Sequence, residues 1–78
     1  MQLEIITPEQ KVFEGEISSV QLPGIDGKFE ILNNHAPIIS TLAKGQVRVI
    51  DTNDKTELFD INGGVIEMQN NKVIVLAE

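Results

Sequence analysis

Short runs of alternating apolar and polar residues, each ended by a turn signal, constrain this chain more than any other feature. In GKFEIL, the apolar Phe29 and Ile31 share one face and the charged residues share the other, and GQVRVID repeats the pattern. This period of two is typical of a half-buried strand. The stretch nearest to a helical period of about 3.6 residues is HAPIISTLAKG, but its β-branched residues and Pro37 favour a strand.

Turn signals separate these runs at intervals of roughly 8–12 residues, a spacing typical of sandwiches and barrels. They are PGIDG at 23–27, NNHAP at 33–37, KG at 44–45, DTNDK at 51–55, NGG at 62–64 and QNN at 69–71. A bend or bulge is expected near Gly15, which divides VFEGEISSVQL. The sequence therefore predicts one all-β domain over residues 1–78, a small two-sheet β-sandwich or flattened barrel of about eight to ten short strands.

The predicted core consists of the apolar residues on the inward face of each run. A chain of 78 residues buries only about 60–65% of its unfolded surface, so this core is thin. The predicted inward residues are Leu3, Ile5, Val12, Phe13, Ile17, Val20, Leu22, Phe29, Ile31, Ile39, Leu42, Val47, Val49, Phe59, Ile61, Val65, Ile66, Val73 and Val75. The apolar residues without a certain place are Ile6, Ile25, Ile38, Ile50, Leu58, Met68, Ile74 and Leu76. Such a surplus indicates either a sheet face that docks onto a partner or side chains that cap the barrel ends.

Composition excludes several classes of function. The net charge is −6, and the chain has no Trp, Tyr or Cys. Nucleic-acid phosphates would be repelled and bases would find few stacking partners, while disulfides and thiolate chemistry are absent. No apolar run approaches the ~20 residues that cross a bilayer, and the N-terminus lacks signal-peptide features. We therefore expect a cytoplasmic protein that binds no nucleic acid and carries no cofactor.

His35, the only histidine, is the first candidate for chemistry. A Ser-His-Asp site would need a nucleophile motif that the chain lacks, and a metal site normally uses more than one His or Cys. Its loop is expected to be rigid, because Asn33 and Asn34 tolerate left-handed backbone and Pro37 restricts Ala36. We therefore expect no catalytic residue and no metal site, and interpret His35 as tying two backbone segments together or contacting a partner.

An alternative function concerns Lys55. The TNDKT turn resembles the attachment turn of lipoyl and biotinyl carrier domains, which are small, acidic and all-β. Those domains place the modified lysine near the middle of the chain, whereas only 23 of the 78 residues follow Lys55. A carrier domain modified at Lys55 remains the alternative, beside a sandwich with a general interaction role.

Two blocks of sequence carry a family pattern. The first is GIDGKFEILNNHAP, in which Gly24, Gly27 and Ile31 lie at matching offsets before His-Ala-Pro. The second is GGVIEMQNNKVIVLAE, a double glycine followed by Glu67 and VIVLAE. Together with the opening LEIITPEQKVFEG and the segment LAKGQVRV, they resemble the N-terminal domain of the epsilon subunit of F-type ATP synthase nearly end to end.

The resemblance implies a non-catalytic rotor subunit of the central stalk, bound to the gamma shaft and to the ring of c subunits. Such a subunit would couple proton-driven rotation to ATP synthesis at the cytoplasmic face of the bacterial inner membrane, meeting the membrane only through the complex. The residues expected near ring and shaft are Asp26, Gly27, Lys28, Asn34 and His35, and those expected to extend the gamma-facing surface are Ile38, Ser40 and Thr41.

Three positions depart from the residues usual in this family. Lys28 stands where Glu or Gln is frequent, Glu30 replaces a frequent Gly and Asn33 a frequent Pro. Because Lys28 changes the charge of a loop that faces the c ring in the family, the usual electrostatic partner there is not carried over. Family members commonly continue with a C-terminal helical hairpin that can inhibit ATP hydrolysis. That inhibition is not expected from residues 1–78.

Overall fold

The computed structural model describes residues 1–78 and consists of eight β-strands without a helix. The strands are β1 (Gln2–Ile6), β2 (Lys11–Gly24), β3 (Gly27–Leu32), β4 (Ile38–Leu42), β5 (Gly45–Asp51), β6 (Thr56–Ile61), β7 (Gly64–Gln69) and β8 (Lys72–Ala77). The predicted all-β class is confirmed, and the segment after Pro37 is a strand, as predicted. No helix is present that could cross a membrane.

The long strand β2 joins the two layers of the fold. Its first half pairs with β1, and its second half pairs with β3 on one edge and β5 on the other. Its last residue, Gly24, pairs with Leu42 of β4. The order β1-β8-β7-β4-β2-β5-β6, with β1 and β3 also paired to β2, therefore bends back on itself as a flattened barrel. One layer is β1-β8-β7-β4, and the other is β3-β2-β5-β6.

Two bulges bend β2, and neither is at Gly15. The pairing with β1 leaves Val12 as an extra residue, and the pairing with β5 leaves Ser18 as another. Ser18 Oγ donates a hydrogen bond to the carbonyl oxygen of Asp51 at 3.2 Å. Gly15 itself pairs regularly with Leu3, so the predicted position of the bend was wrong. An extra residue in one strand increases the local twist, which allows one strand to serve both layers.

The core is a cluster of 16 buried apolar residues between the layers. It consists of Met1, Leu3, Ile5, Ile17, Val20, Leu22, Ile31, Leu42, Val47, Val49, Ile61, Ile66, Met68, Val73, Val75 and Ala77. All but Met1, Met68 and Ala77 were predicted to face inward. The predicted residues Phe13, Phe29 and Phe59 pack against this cluster while half-buried. Burying a Val, Leu or Ile side chain contributes about 1.5–3 kcal/mol, so these residues supply most of the stability.

Three residues predicted to face inward are exposed: Val12 at 36%, Ile39 at 73% and Val65 at 42%. Val12 is the extra residue of a bulge. Ile39 and Leu42 are three positions apart and Val65 and Ile66 are adjacent, so neither pair can share one face of a regular strand. Leu42 and Ile66 face the core, so Ile39 and Val65 point outward.

Two adjacent glycines make the tight connection from β6 to β7. Gly63 has φ 128° and Gly64 has φ 148°, values that side-chain-bearing residues rarely adopt. A Cβ on Gly64 would overlap the carbonyl oxygen of Leu76 in β8. Gly64 therefore allows β7 to approach β8 at the point where their pairing ends with Ala77.

Candidate partner-binding surface

Five of the eight predicted partner-binding residues lie in two groups at opposite ends of β3, and the other three lie on β4. Asp26, Gly27 and Lys28 occupy the tip of the β2–β3 hairpin, where Gly24 pairs with Gly27. Asn34 lies in the loop that follows β3, together with His35. A strand of six residues spans about 20 Å, so the two groups do not form one compact site. β3 pairs only with β2, and its other edge carries no strand.

The hairpin end borders an open cleft of about 360 Å³ between β3 and β4. Its lining residues are Gly24, Ile25, Asp26, Gly27, Phe29, Ile39, Ser40 and Thr41. The hairpin is tied to β4 because the Ile25 N–H donates a hydrogen bond to the Thr41 carbonyl oxygen at 3.3 Å. Four predicted residues from separate parts of the sequence, Asp26, Gly27, Ser40 and Thr41, thus line one concave surface.

Sequence reasoning did not assign two apolar residues of this cleft to the surface. Ile25 is 61% exposed at the hairpin tip, and an isoleucine in a turn between two glycines was a signal that could have identified it. Ile39 points outward from β4, whereas the predicted interface residue Ile38 is half-buried and packs against the core. The alternation along β4 therefore makes Ile39 the more accessible of the two.

The imidazole of His35 makes only a local contact. Its Nδ1 donates a hydrogen bond to the carbonyl oxygen of the next residue, Ala36, at 2.7 Å. The expectation that the ring ties two backbone segments together was therefore wrong. The His35 backbone N–H closes the turn by donating to the Leu32 carbonyl oxygen at 3.2 Å. The ring lies on an exposed residue.

Asparagines hold this loop against neighbouring segments. The Asn34 N–H donates a hydrogen bond to Oδ1 of Asn71, in the β7–β8 turn, at 2.8 Å. Asn34 has φ 63°, the left-handed conformation that asparagine tolerates. Oδ1 of Asn33 accepts a hydrogen bond from the Met1 amino group at 2.8 Å. The Asn33 side chain therefore connects this loop to the N-terminus of the chain.

The outer face of the β1-β8-β7-β4 layer carries an exposed apolar group, formed by Ile39, Val65 and Leu76, which we call the outer apolar patch. Val65 lies directly opposite Leu76 in β8 and opposite Thr41 in β4. Ile39 is on the same face of β4, diagonal to Val65, within reach across the sheet. Of the eight apolar residues that the sequence left without a certain place, only Leu76 lies in this patch, since Ile39 and Val65 were predicted to face inward.

The charged residues beside β3 differ in their partners. Arg48 Nη2 donates to Glu30 Oε2 at 2.8 Å, and the pair spans Gln21, which lies between them in the sheet. Glu30 therefore has a local partner on the protein itself, and an exposed pair of this kind contributes roughly 0–1 kcal/mol. Lys28 forms no ion pair. Its charge is therefore available at the hairpin tip.

A second group of charges lies outside this surface. Lys11 Nζ donates to Glu4 Oε1 at 3.2 Å and to Glu14 Oε1 at 3.3 Å. The hydrogen bond from Lys11 holds the pKa of Glu4 below its ordinary value of 4.5. The hydrogen bonds to Glu4 and Glu14 raise the pKa of Lys11 above 10.5. This charge network connects β1 to the start of β2.

Comparison with known proteins identifies the family. The model of the ATP synthase delta/epsilon chain β-sandwich domain matches residues 1–78. The ATP synthase epsilon chain of Chlorobium limicola is 42% identical over 76 residues, which is 97% of this chain and 86% of that protein. The epsilon chain of Campylobacter curvus is 41% identical over 78 residues, which is all of this chain and 60% of that protein.

Solved structures show the same fold at low sequence identity. A chain in the mitochondrial ATP synthase of Euglena gracilis matches 96% of this chain with a TM-score of 0.90 and 18% identity. A chain in the central stalk and c-ring structure of the Tetrahymena thermophila mitochondrial ATP synthase matches 99% with a TM-score of 0.80 and 17% identity. This chain spans 48% and 62% of those two chains. The resemblance stated from the sequence is confirmed, and the chain belongs to the family of ATP synthase delta/epsilon chain β-sandwich domains.

Proposed function

We propose that this domain is a non-catalytic part of the central stalk of an F-type ATP synthase, binding both the gamma subunit and the c-subunit ring. By holding shaft and ring together, it would couple proton-driven rotation to ATP synthesis. Its relatives are ATP synthase epsilon chains, and one structural neighbour is part of a central stalk and c-ring assembly. In such a complex, the domain meets the cytoplasmic face of the bacterial inner membrane only indirectly.

The gamma subunit is proposed to cover the outer apolar patch together with β4. This surface is supported by the exposure of Ile39, Val65 and Leu76 on neighbouring strands and by Thr41 beside them. Exposed apolar side chains grouped on a rigid sheet favour a protein partner. A stable interface buries upward of about 1,000 Å² in total, so the shaft would extend from the patch across Ser40 to the cleft at the hairpin tip.

The c ring is proposed to lie along β3. The hairpin tip with Asp26 and Lys28 is at one end of this strand, and the loop with Asn34 and His35 is at the other. The ring's polar loops form an extended surface that could touch both ends at once, about 20 Å apart. The outward side chains of β3 between them, including the exposed Leu32, would then complete the contact.

Stiffness supports the coupling role. The layers share the strand β2 and enclose a close-packed core, and protein interiors of this kind resist deformation. A body that connects a rotating shaft to a ring must transmit torque without shearing. The central observation for this proposal is that the outer apolar patch lies on a closed sheet. The chain that carries this patch belongs to a family whose members include ATP synthase epsilon chains.

The gamma contact is tested by the double substitution Ile39→Ser and Leu76→Ser. Binding of the cognate gamma subunit should weaken at least tenfold, equivalent to about 1.4 kcal/mol, in isothermal titration calorimetry. The matched control is Leu58→Ser, because Leu58 is 55% exposed on β6 in the opposite layer. Equal weakening by both variants, with the fold intact, would place the contact elsewhere.

A further inference from the structure

The only Asn-Gly sequence in the chain lies in the connection between β6 and β7. Asn62 follows Ile61, the last residue of β6, and Gly63 precedes the first residue of β7. We propose that Asn62 is a site of spontaneous covalent modification, at which its side-chain amide is converted through a cyclic imide to aspartate and isoaspartate. This inference is independent of the proposed partners.

The reaction needs only water as co-reactant. The backbone nitrogen of Gly63 attacks the side-chain carbonyl carbon Cγ of Asn62, closing the imide ring, and Nδ2 leaves as ammonia with the proton that the Gly63 nitrogen loses. Water then opens the ring at one of its two carbonyl carbons. Opening at Cγ breaks the new bond and leaves aspartate, whereas opening at the main-chain carbonyl leaves isoaspartate, in which the chain runs through Cγ. No electron transfer is involved.

Both reacting groups are free in the structure. The Gly63 N–H donates no hydrogen bond to any backbone carbonyl or side chain, and the Asn62 side-chain amide has no hydrogen-bond partner. Asn62 is exposed and Gly63 is buried, so water reaches the imide from the Asn62 side. Glycine carries no Cβ to block the approach of its nitrogen and permits the backbone rotation that ring closure needs. Residues 62–63 lie outside the strands, and the backbone hydrogen bond that holds them is accepted by the Gly63 carbonyl oxygen, which leaves the Gly63 nitrogen free.

The other asparagines, at positions 33, 34, 53, 70 and 71, lack this combination. The side-chain oxygens of Asn33 and Asn71 accept hydrogen bonds that fix their orientation. Asn53 lies in an exposed turn like Asn62, but the residue after it is Asp54, whose N–H donates a hydrogen bond to the Asp51 carbonyl oxygen at 3.1 Å. Asn53 is therefore the internal control for an exposed asparagine that lacks both a following glycine and a free N–H.

Conversion at Asn62 should weaken the β6–β7 connection. Isoaspartate adds one carbon to the main chain immediately before the two glycines, where Gly64 has no free space toward Leu76. The Gly63 carbonyl oxygen accepts a hydrogen bond from the Glu78 N–H at 3.0 Å, and a lengthened chain would displace it. Both products also add a negative charge beside Asp60 and Glu78, which carry the same sign.

The test is to incubate the folded domain in mildly alkaline buffer and to map its peptides by mass spectrometry. We expect the mass increase that accompanies loss of ammonia and gain of water at Asn62, at a rate several-fold above that at Asn53. Isotopically labelled water should enter the product, and an isoaspartyl methyltransferase should label part of it. The rate should rise with pH, because the attacking nitrogen must lose its proton.

The variant Asn62→Gln is the stability control, because the longer side chain closes an imide ring much more slowly. After incubation, the unfolding midpoint of the unmodified sequence should fall while that of Asn62→Gln stays constant. Asn62→Asp, which adds the charge but no carbon, should reproduce only part of the fall. The inference is overturned if Asn62 remains an amide in the folded domain, or converts no faster than Asn53, while it converts readily in the same chain unfolded in urea.

Discussion

At the scale of single residues, two glycines with similar backbone angles have different reasons to be glycine. Gly27 has φ 128° and an open surrounding, whereas Gly64 has φ 148° and lies against the Leu76 carbonyl oxygen. Replacing Gly27 by alanine introduces backbone strain alone. Replacing Gly64 introduces the same strain and a backbone overlap that no side-chain movement can relieve.

We therefore expect Gly27→Ala to lower the free energy of unfolding by about 1–3 kcal/mol and Gly64→Ala by more, about 3–5 kcal/mol. Chemical denaturation of the two variants measures both values. Equal losses would show that the approach of β7 to β8 does not depend on Gly64.

The charges around Lys11 predict how stability changes with pH. Because the pKa of Glu4 is lowered in the folded state, its contribution is present above pH 4.5 and is lost as the pH falls through the lowered value. Because the pKa of Lys11 is raised, its contribution is present below pH 10.5 and is lost as the pH rises through the raised value. Lys11→Met should make the melting temperature depend less on pH at both the acid and the alkaline end. Added salt should have the same effect on the parent protein.

The exposed position of His35 predicts separate effects on stability and binding. Its ring contacts only the adjacent Ala36 carbonyl, so His35→Ala should change the free energy of unfolding by no more than about 0.5 kcal/mol. The same change, and Asp26→Ala at the other end of β3, should weaken binding to the c ring in a co-sedimentation assay. A large fall in melting temperature with unchanged binding would make His35 structural.

Contacts between residues that are distant in the sequence account for most of what the sequence left undetermined at this scale. Gly27, Asn34 and His35 were identified as loop residues because turn chemistry is local. The bond from Asn34 to Asn71 joins positions 37 residues apart, and no local pattern indicates it. For the same reason, the sequence did not show that asparagines hold the loop, which is one of the two roles expected for the His35 imidazole.

At the scale of elements, the alternation within each strand was predictable, and its phase was less so. β3 and β5 were assigned correctly because each has an uninterrupted period of two and a clear apolar face. In β4 the apolar run Ile38-Ile39 offers two phases, and only packing against Met68 and Ile66 of β7 selects one. The bulges at Val12 and Ser18 depend on which strands flank β2, which the sequence does not state locally.

The phase of β4 and β7 leads to a paired prediction. Ile66 is fully buried and Ile39 is exposed, although they lie on neighbouring strands. Ile66→Ala should cost about 2–5 kcal/mol because it leaves a cavity, whereas Ile39→Ala should change stability by no more than about 0.5 kcal/mol. Urea denaturation checks both. A comparable loss at Ile39 would mean that its side chain is covered in the free domain.

At the scale of the whole molecule, the fold class was predictable because strand periods and turn spacing both indicate a small sandwich. The closure through β2 was not, since it depends on one strand pairing with β1, β3, β4 and β5 in turn. That closure places the outer apolar patch, the cleft at the hairpin tip and the unpaired edge of β3 on the surface of one rigid domain.

The carrier-domain alternative at Lys55 is checked by measuring the intact mass of the protein after expression in a lipoylating host, where an unmodified chain is expected.

The most direct test of the central claim is proton-driven ATP synthesis by membranes whose ATP synthase has been stripped of its epsilon subunit. Adding the folded domain should restore synthesis, and the Ile39→Ser, Leu76→Ser variant should restore much less at the same concentration. If the domain co-sediments with the stripped complex but leaves synthesis at its depleted level, it binds the enzyme without joining shaft to ring, and the account is contradicted.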